Sequence, residues 1–296
     1  MLICENLHCI DQSSEDCLAL LVESLASMAV LVLTTHRPGY TMRWADAPYY
    51  TQIALDCLSE AEARAMVASL MGTQDLAPAL LRLMQERTGG NPLFIEEVVH
   101  ALLESGALVR HHGGMRWTGE VEAEFPVTMQ TIVQARIDRL DEPVKRTVRT
   151  AAVIGREFGW QLLTRLVDPA TELQPALETL KHLELIHETR LFPEVEYRFK
   201  HAVTQEVAYQ SLLEGQRQEL HGAIGQAMED MYTERHSEQA TRLAYHYARS
   251  THQNRAIPYV LLAGDQAARL YANAEATTYY TQALTIARAL PTSVAT

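Results

Sequence analysis

The sequence predicts a mixed fold: a small truncated parallel α/β remnant, followed by a mostly helical chain with a helical lid domain, a winged helix and tetratricopeptide-like helical repeats. Three observations carry this. Two short apolar runs, residues 2–6 and 29–35, flank one amphipathic segment, as in a βαβ unit. From Ser59 onward apolar residues recur at helical spacing. Near the middle the period changes to two, with Val195, Tyr197 and Phe199 alternating between polar neighbours.

The first run, from Leu2, ends at the acidic Glu5, and the helix after it shows a capping-box pattern in Ser13 and Asp16, with Leu18, Leu21, Val22 and Leu25 on one face. A loop over 36–50 leads to an expected third strand near Ile53–Leu55. Ser59 and Glu62 form a second capping-box pattern, and the remaining breaks fall at Gly72, Gly89-Gly90-Asn91-Pro92, Gly106, Gly113-Gly114, Pro143, Gly155 and Pro169. A hairpin is expected over 108–118, helices over 127–140, 143–154, 159–167 and 172–187, and a second hairpin over 191–200. Short helices followed by such a β wing spell a winged helix. Beyond residue 205 the chain is helical, and Gly264, Ala276, Tyr280 and Ala283 have the small-aromatic-small spacing of a tetratricopeptide repeat, with a weaker copy around 243–248. The expected domains are 1–58, 59–118, 119–207 and 208–296.

A chain of 296 residues with 47% hydrophobic content has room for two or three packed domains. It contains no run of 18 apolar residues and no basic stretch before its N-terminal apolar run, so neither a membrane span nor a signal peptide is expected, and the expected location is cytoplasmic. Cys4, Cys9, Cys17 and Cys57 lack C-x-x-C spacing, which favours reduced, mostly buried thiols. A net charge of -12 repels a phosphate backbone and disfavours DNA as a partner. No G-x-S-x-G frame or His-Glu-x-x-His motif occurs. The acidic pairs Glu60, Glu62 and Glu96, Glu97 read as solvated helix faces, and His111-His112 as surface groups.

A phosphate-binding loop needs glycines and a lysine that reaches the phosphates. The only lysines are Lys145, Lys181 and Lys200, and none follows a glycine. The sequence thus carries half a nucleotide site.

Three blocks in order, residues 87–99 around Gly89-Gly90-Asn91-Pro92, residues 137–158 from Ile137-Asp138-Arg139-Leu140 to Gly155-Arg156-Glu157-Phe158, and residues 197–209 from Tyr197-Arg198-Phe199-Lys200-His201 onward, resemble the STAND-type signalling ATPases. Within that group the chain is most similar to the ATPase and tetratricopeptide region that follows class III adenylate or guanylate cyclase domains in large bacterial proteins. The resemblance implies ATP or ADP with Mg²⁺ as cofactors of the intact family. It places Glu5 at the Mg²⁺-holding acidic position and Asn6 where an Asp is usual, and an amide cannot act as general base. It places Arg37 as the γ-phosphate sensor, Gly90, Asn91 and Pro92 at the turn against adenine, and His201 near the ADP β-phosphate. Each has a simpler reading. Glu5 and Asn6 suit any strand end, Arg37 any loop, Asn91 and Pro92 any helix start, and His201 a packed histidine.

The resemblance implies signal transduction with little or no ATP hydrolysis by this chain alone, and protein partners through the C-terminal repeats. It also implies that the central strand of the sheet is missing, so residues 1–58 should be marginally stable or recruit a further segment or a second copy to complete it. A helical-repeat scaffold without nucleotide and a LuxR-like transcriptional regulator are the alternatives. The expected recognition helix over 172–187 offers Lys181 among Glu172, Glu178 and Glu184, which argues against DNA.

Overall fold

A computed structural model of the protein describes residues 1–25, 27–111, 114–117, 128–190, 192, 194–233 and 235–290. In chain order the elements are β1 (Leu2–Cys4), α1 (Gln12–Leu25), β2 (Val32–Thr34), α2 (Glu60–Met71), α3 (Pro78–Thr88) and α4 (Pro92–Glu104). Then come β3 (Leu108–His111), β4 (Gly114–Trp117), α5 (Met129–Asp138), α6 (Glu142–Ile154), β5 (Glu157–Gly159), α7 (Trp160–Leu166), α8 (Leu173–His182), β6 (Ile186–Arg190) and β7 (Glu196–Phe199). The chain ends in α9 (Ala202–Gln210), α10 (Glu214–Met231), α11 (Ala240–Ala248), α12 (Ala256–Arg269) and α13 (Asn273–Ala289). The fold is mostly helical with small sheet pieces. Among the described residues no helix is long and apolar enough to cross a membrane. By packing, the chain divides into two units, one of residues 1–55, 234–248 and 252–296, the other of residues 56–233 and 249–251.

In the first unit β1 and β2 pair in parallel, with Leu2, Ile3 and Cys4 opposite Val32, Leu33 and Thr34. One face packs under α1: Leu7, Leu18, Val22, Met42 and Trp44 form a small core against Leu2, Cys4 and Val32. Met42 and Trp44 come from the loop after β2, so that loop supplies part of the core, and Tyr40 fixes it by donating to Glu15 Oε1 at 2.7 Å. The other face is bare, with Ile3, Leu31 and Leu33 about half exposed or more. No third strand forms at Ile53–Leu55. Ile53 and Leu55 are exposed coil, because nothing packs on them. The cap of α1 is also other than expected: Asp11 Oδ1 accepts from the Ser14 amide at 2.8 Å, while the Ser13 hydroxyl donates to Glu275 at 2.8 Å. Leu21 turns to solvent, and Cys9 and Cys17 are exposed free thiols rather than buried ones, since the core is too thin to cover them; Cys57, in the coil before α2 that belongs to the second unit, is an exposed free thiol as well.

In the same unit α11, α12 and α13 pack consecutively. The small-residue signature has a direct physical basis. A Cβ on Gly264 would lie 2.7 Å from the Tyr280 ring, so α12 and α13 approach only because that atom is missing. The Tyr280 hydroxyl then reaches Asp265 at 2.8 Å.

In the second unit α2, α3 and α4 enclose a core of Val67, Leu80, Met84, Ile95, Val98 and Leu102, which Ile132 of α5 completes. The Ser59 capping box forms as expected, with its hydroxyl accepting from the Glu62 amide and its amide donating to Glu62. β3 and β4 pair antiparallel, while His112, Gly113 and Thr118 of the expected hairpin, and 119–127, lie outside the described residues. Helices α6, α7 and α8 pack around the antiparallel sheet β5-β7-β6, in which Phe158 is stacked on Tyr197 and tilted against Phe199. The expected helix over 172–187 stops at His182. Glu184 takes a left-handed conformation, φ 56°, and turns the chain so that Ile186 begins β6. The wing hairpin therefore starts earlier than Leu191, which itself lies outside the described residues.

Two outcomes follow from this packing. Gly264→Val should lower the unfolding free energy in urea by about 1–3 kcal/mol, whereas Gly215→Ala, with open space around it, should leave it unchanged or raise it. Ile3, whose N–H lies on the outer edge of β1 because Leu2 and Cys4 bond to β2, should exchange its amide hydrogen quickly in the monomer.

Candidate functional site

Among the described residues a cluster of charged side chains lies where α4 meets α5 and the end of β7. α4 is started by strong local signals. Gly89 caps α3 in a left-handed conformation, the Asn91 side chain accepts from the Phe94 amide at 3.2 Å, and Pro92 occupies the first turn. Gly90 is required for a different reason: its φ is 75°, and a Cβ there would sit 2.3 Å from the Leu58 carbonyl oxygen. The Leu58 amide donates to the Gly90 carbonyl at 2.8 Å, tying the coil before α2 to this turn.

One turn further, α4 presents Glu96, Glu97, His100 and Glu104. These face Arg136 of α5 and the segment from Leu183 to His201. Arg136 is fully buried. Its Nη1 meets Glu97 Oε2 at 2.5 Å, its Nη2 meets Glu104 Oε1 at 2.7 Å, and the same Nη2 donates to the Leu183 carbonyl at 2.7 Å. The guanidinium thus joins α4, α5 and the turn after α8. Burial by itself would ease its proton off, but the bonds to Glu104 and the charge of Glu97 outweigh this and hold it charged. Glu97 is as deeply buried, so the expected solvated face is corrected here: only one side of α4 is wet.

Lys200, at the end of β7, bridges Glu96 at 2.7 Å and Glu184. Its bond holds the Glu184 carboxyl below the usual carboxylate range. Glu96, His100 and Glu184 each offer a donor atom within 4.8 Å of the others, as a metal site would, but the Lys200 ammonium already supplies the positive charge there. His201 begins α9 with its Nε2 buried, 3.7 Å from Glu96 Oε2 and 3.9 Å from Glu97 Oε1, without a hydrogen-bond partner. Burial pushes its proton affinity below the ordinary histidine value, against the pull of Glu97 and Glu96.

The structure therefore brings Gly90, Asn91, Pro92 and His201 onto one helix, the first three at its start and the last against its middle. Glu5, Asn6 and Arg37 lie in the other unit, at the C-terminal ends of β1 and β2. Glu5 and Arg37 are exposed, and among the described residues neither side chain makes a hydrogen bond or ion pair. Asn6 adopts a left-handed conformation, φ 59°, and its amide donates to Thr35 Oγ1 at 3.0 Å, which joins the two strand ends. Arg136 and Glu97 were not among the expected site residues. A signal existed in the sequence: an arginine within an otherwise apolar helical face, Ile132, Val133, Arg136, Ile137, needs a buried acid.

A family described as a domain of unknown function (DUF8739) matches residues 59–110, the stretch from α2 to β3. An uncharacterized protein of Rhizobium meliloti (strain 1021), R02095, is 28% identical over 284 residues, covering 95% of this chain and 27% of its own length. The chain thus spans about a quarter of the relative it matches.

Arg136→Met should cost about 3–5 kcal/mol in urea unfolding by stranding Glu97, and Arg136→Met/Glu97→Leu should recover most of that loss. The unit should also lose stability in acid. His221 of α10, bonded through Nε2 to the Tyr209 hydroxyl at 3.1 Å, has its proton affinity pushed down to about 4 by burial and then by Arg249 and Arg217. The unfolded chain takes up that proton near 6.5, so stability is full above about pH 6.5, falls by about 3 kcal/mol as pH drops towards 4, and then levels off. His201 adds a smaller loss of the same sign. His221→Phe should remove most of this slope in pH-dependent chemical denaturation.

Proposed function

We propose that this chain is the signal-transmitting part of a regulatory STAND-type ATPase associated with an adenylate or guanylate cyclase. One observation carries the reading: α4 links two of the blocks on which the resemblance rests. Its first turn holds Gly90, Asn91 and Pro92, assigned to the nucleotide, and its middle grips Lys200 and His201 at the foot of the wing. A helix held at both points passes a displacement at one to the other, because packed elements move as rigid bodies. In this proposal nucleotide state repositions the winged helix and the repeats behind it, and the repeats meet a protein partner.

The residues present do not make a complete ATP site. All three lysines are engaged in the second unit: Lys145 donates to the Asp138 carbonyl, Lys181 pairs with Glu178 and Glu188, and Lys200 with Glu96 and Glu184. No ammonium remains to reach a triphosphate. Glu5 would hold Mg²⁺ and Arg37 would meet the γ-phosphate, while Asn6 lacks a base. Hydrolysis by this chain alone forms no part of the proposal. The bare face and open edges of the β1–β2 ladder support completion of that sheet by a further segment or a second copy. A LuxR-like role on DNA is disfavoured, since the one lysine of α8 is neutralised by two glutamates. The second reading is a helical-repeat scaffold indifferent to nucleotide, in the cytoplasm as for the first.

Calorimetry with a non-hydrolysable ATP analogue and Mg²⁺ separates them. The ATPase reading expects weak binding, lost in Glu5→Ala/Arg37→Ala. Heat that stays flat through millimolar analogue gives the case to the scaffold.

A further inference from the structure

The charged cluster on α4 holds more negative charge than its cations balance. Glu96, Glu97, Glu104 and Glu184 face only Arg136 and Lys200 among the described residues, which leaves two negative charges over. Two imidazoles border this excess. His100 Nε2 lies 3.9 Å from Glu184 Oε2, and His201 Nε2 lies 3.7 Å from Glu96 Oε2. Both nitrogens are sealed from water, and neither has a hydrogen-bond partner among the described residues. A buried ring nitrogen left in that condition costs stability.

The backbone brings three of these groups to one point. Glu96 and His100 are four residues apart on α4, so their side chains share one face of the helix on successive turns. Glu184 arrives from the turn after α8, where it holds a left-handed conformation, φ 56°, that glycine or asparagine usually fills. One oxygen of each carboxylate and a ring nitrogen of His100 all lie within 4.8 Å of one another. Zinc bonds to nitrogen and oxygen set neighbouring donors of a tetrahedron about 3.3–3.6 Å apart. The 3.9 Å between His100 and Glu184 is too long for a hydrogen bond, yet only a small side-chain rotation from that spacing.

We infer that Glu96, His100 and Glu184 bind a divalent transition metal of the zinc class, for which the Lys200 ammonium competes. The ammonium bridges the same two carboxylates. A dication in its place halves the excess charge and takes up the His100 nitrogen as well. Lys200 is partly exposed, and its flexible four-carbon stem lets the head swing out to water. The imidazole selects zinc over magnesium, which prefers an octahedron of oxygens. A bound ion joins α4 to the turn after α8 directly, without the lysine stem between them. Nucleotide has no part in this site.

Calorimetry of the full chain with Zn²⁺ tests this. Saturable binding is expected, weakened about tenfold or more in His100→Ala and in Glu184→Gln. Lys200→Met should bind about tenfold more tightly, since the competitor is gone, and Zn²⁺ should raise its melting temperature. Binding at other histidines of the chain would not tighten when this lysine is removed. Millimolar Mg²⁺ should leave the bound Zn²⁺ in place. The inference is overturned by no saturable binding of Zn²⁺, by equal affinity in His100→Ala and Glu184→Gln, by Lys200→Met binding no more tightly than the parent chain, or by displacement with Mg²⁺.

Discussion

The buried guanidinium of Arg136 is the constraint around which the second unit is arranged. A charge in that position is tolerated only with its partners in place, and the partners come from two places in the chain: Glu97 and Glu104 of α4, and the carbonyl of Leu183 after α8. Apolar packing by Ile95, Val98 and Ile132 would hold α4 and α5 together in several registers, but two carboxylates and one carbonyl around a planar fork accept one. The ion pair fixes geometry more than it adds stability. Lys200 extends the same device to the wing by bridging Glu96 and Glu184, so that charge rather than side-chain shape sets where β7 ends on α4.

Much of this fold was legible in the sequence. The capping box at Ser59, the turn at Gly89 to Pro92, the alternation of Tyr197 and Phe199 and the Gly264 to Tyr280 approach are all local patterns with local causes, and each appears where its residues are. What was not legible depended on contacts distant in sequence. Glu97 looks like a surface acid until Arg136, from the next helix, is seen beside it. Ser13 looks like a cap until Glu275 takes its hydroxyl and leaves the cap to Asp11. The extra strand at Ile53–Leu55 and the burial of Cys9 and Cys17 failed together, since both assumed a thicker sheet than two three-residue strands provide.

The two units therefore rely on different kinds of cohesion. The second has a continuous apolar core with a charged clasp, whereas the first joins a thin parallel ladder to tightly apposed helices. In the thin part, loop residues stand in for missing structure: Trp44 and Met42 cover one face of the ladder, and Tyr40 anchors the loop to α1. Tyr40 is itself pushed up to about 12 in proton affinity by burial and by Glu15, so the anchor stays protonated across all physiological conditions.

The contact of Gly90 with Leu58 gives the coil ahead of α2 a mechanical role. Backbone meets backbone there with no side chain between, and the Leu58 amide is bonded to the carbonyl immediately before the first residues of α4. The residue that precedes α2 is thereby fastened at the root of α4, the helix whose middle pairs with Lys200. A methyl group at that one position would act as a shim, prising the tether off while every charge of the clasp stayed in place.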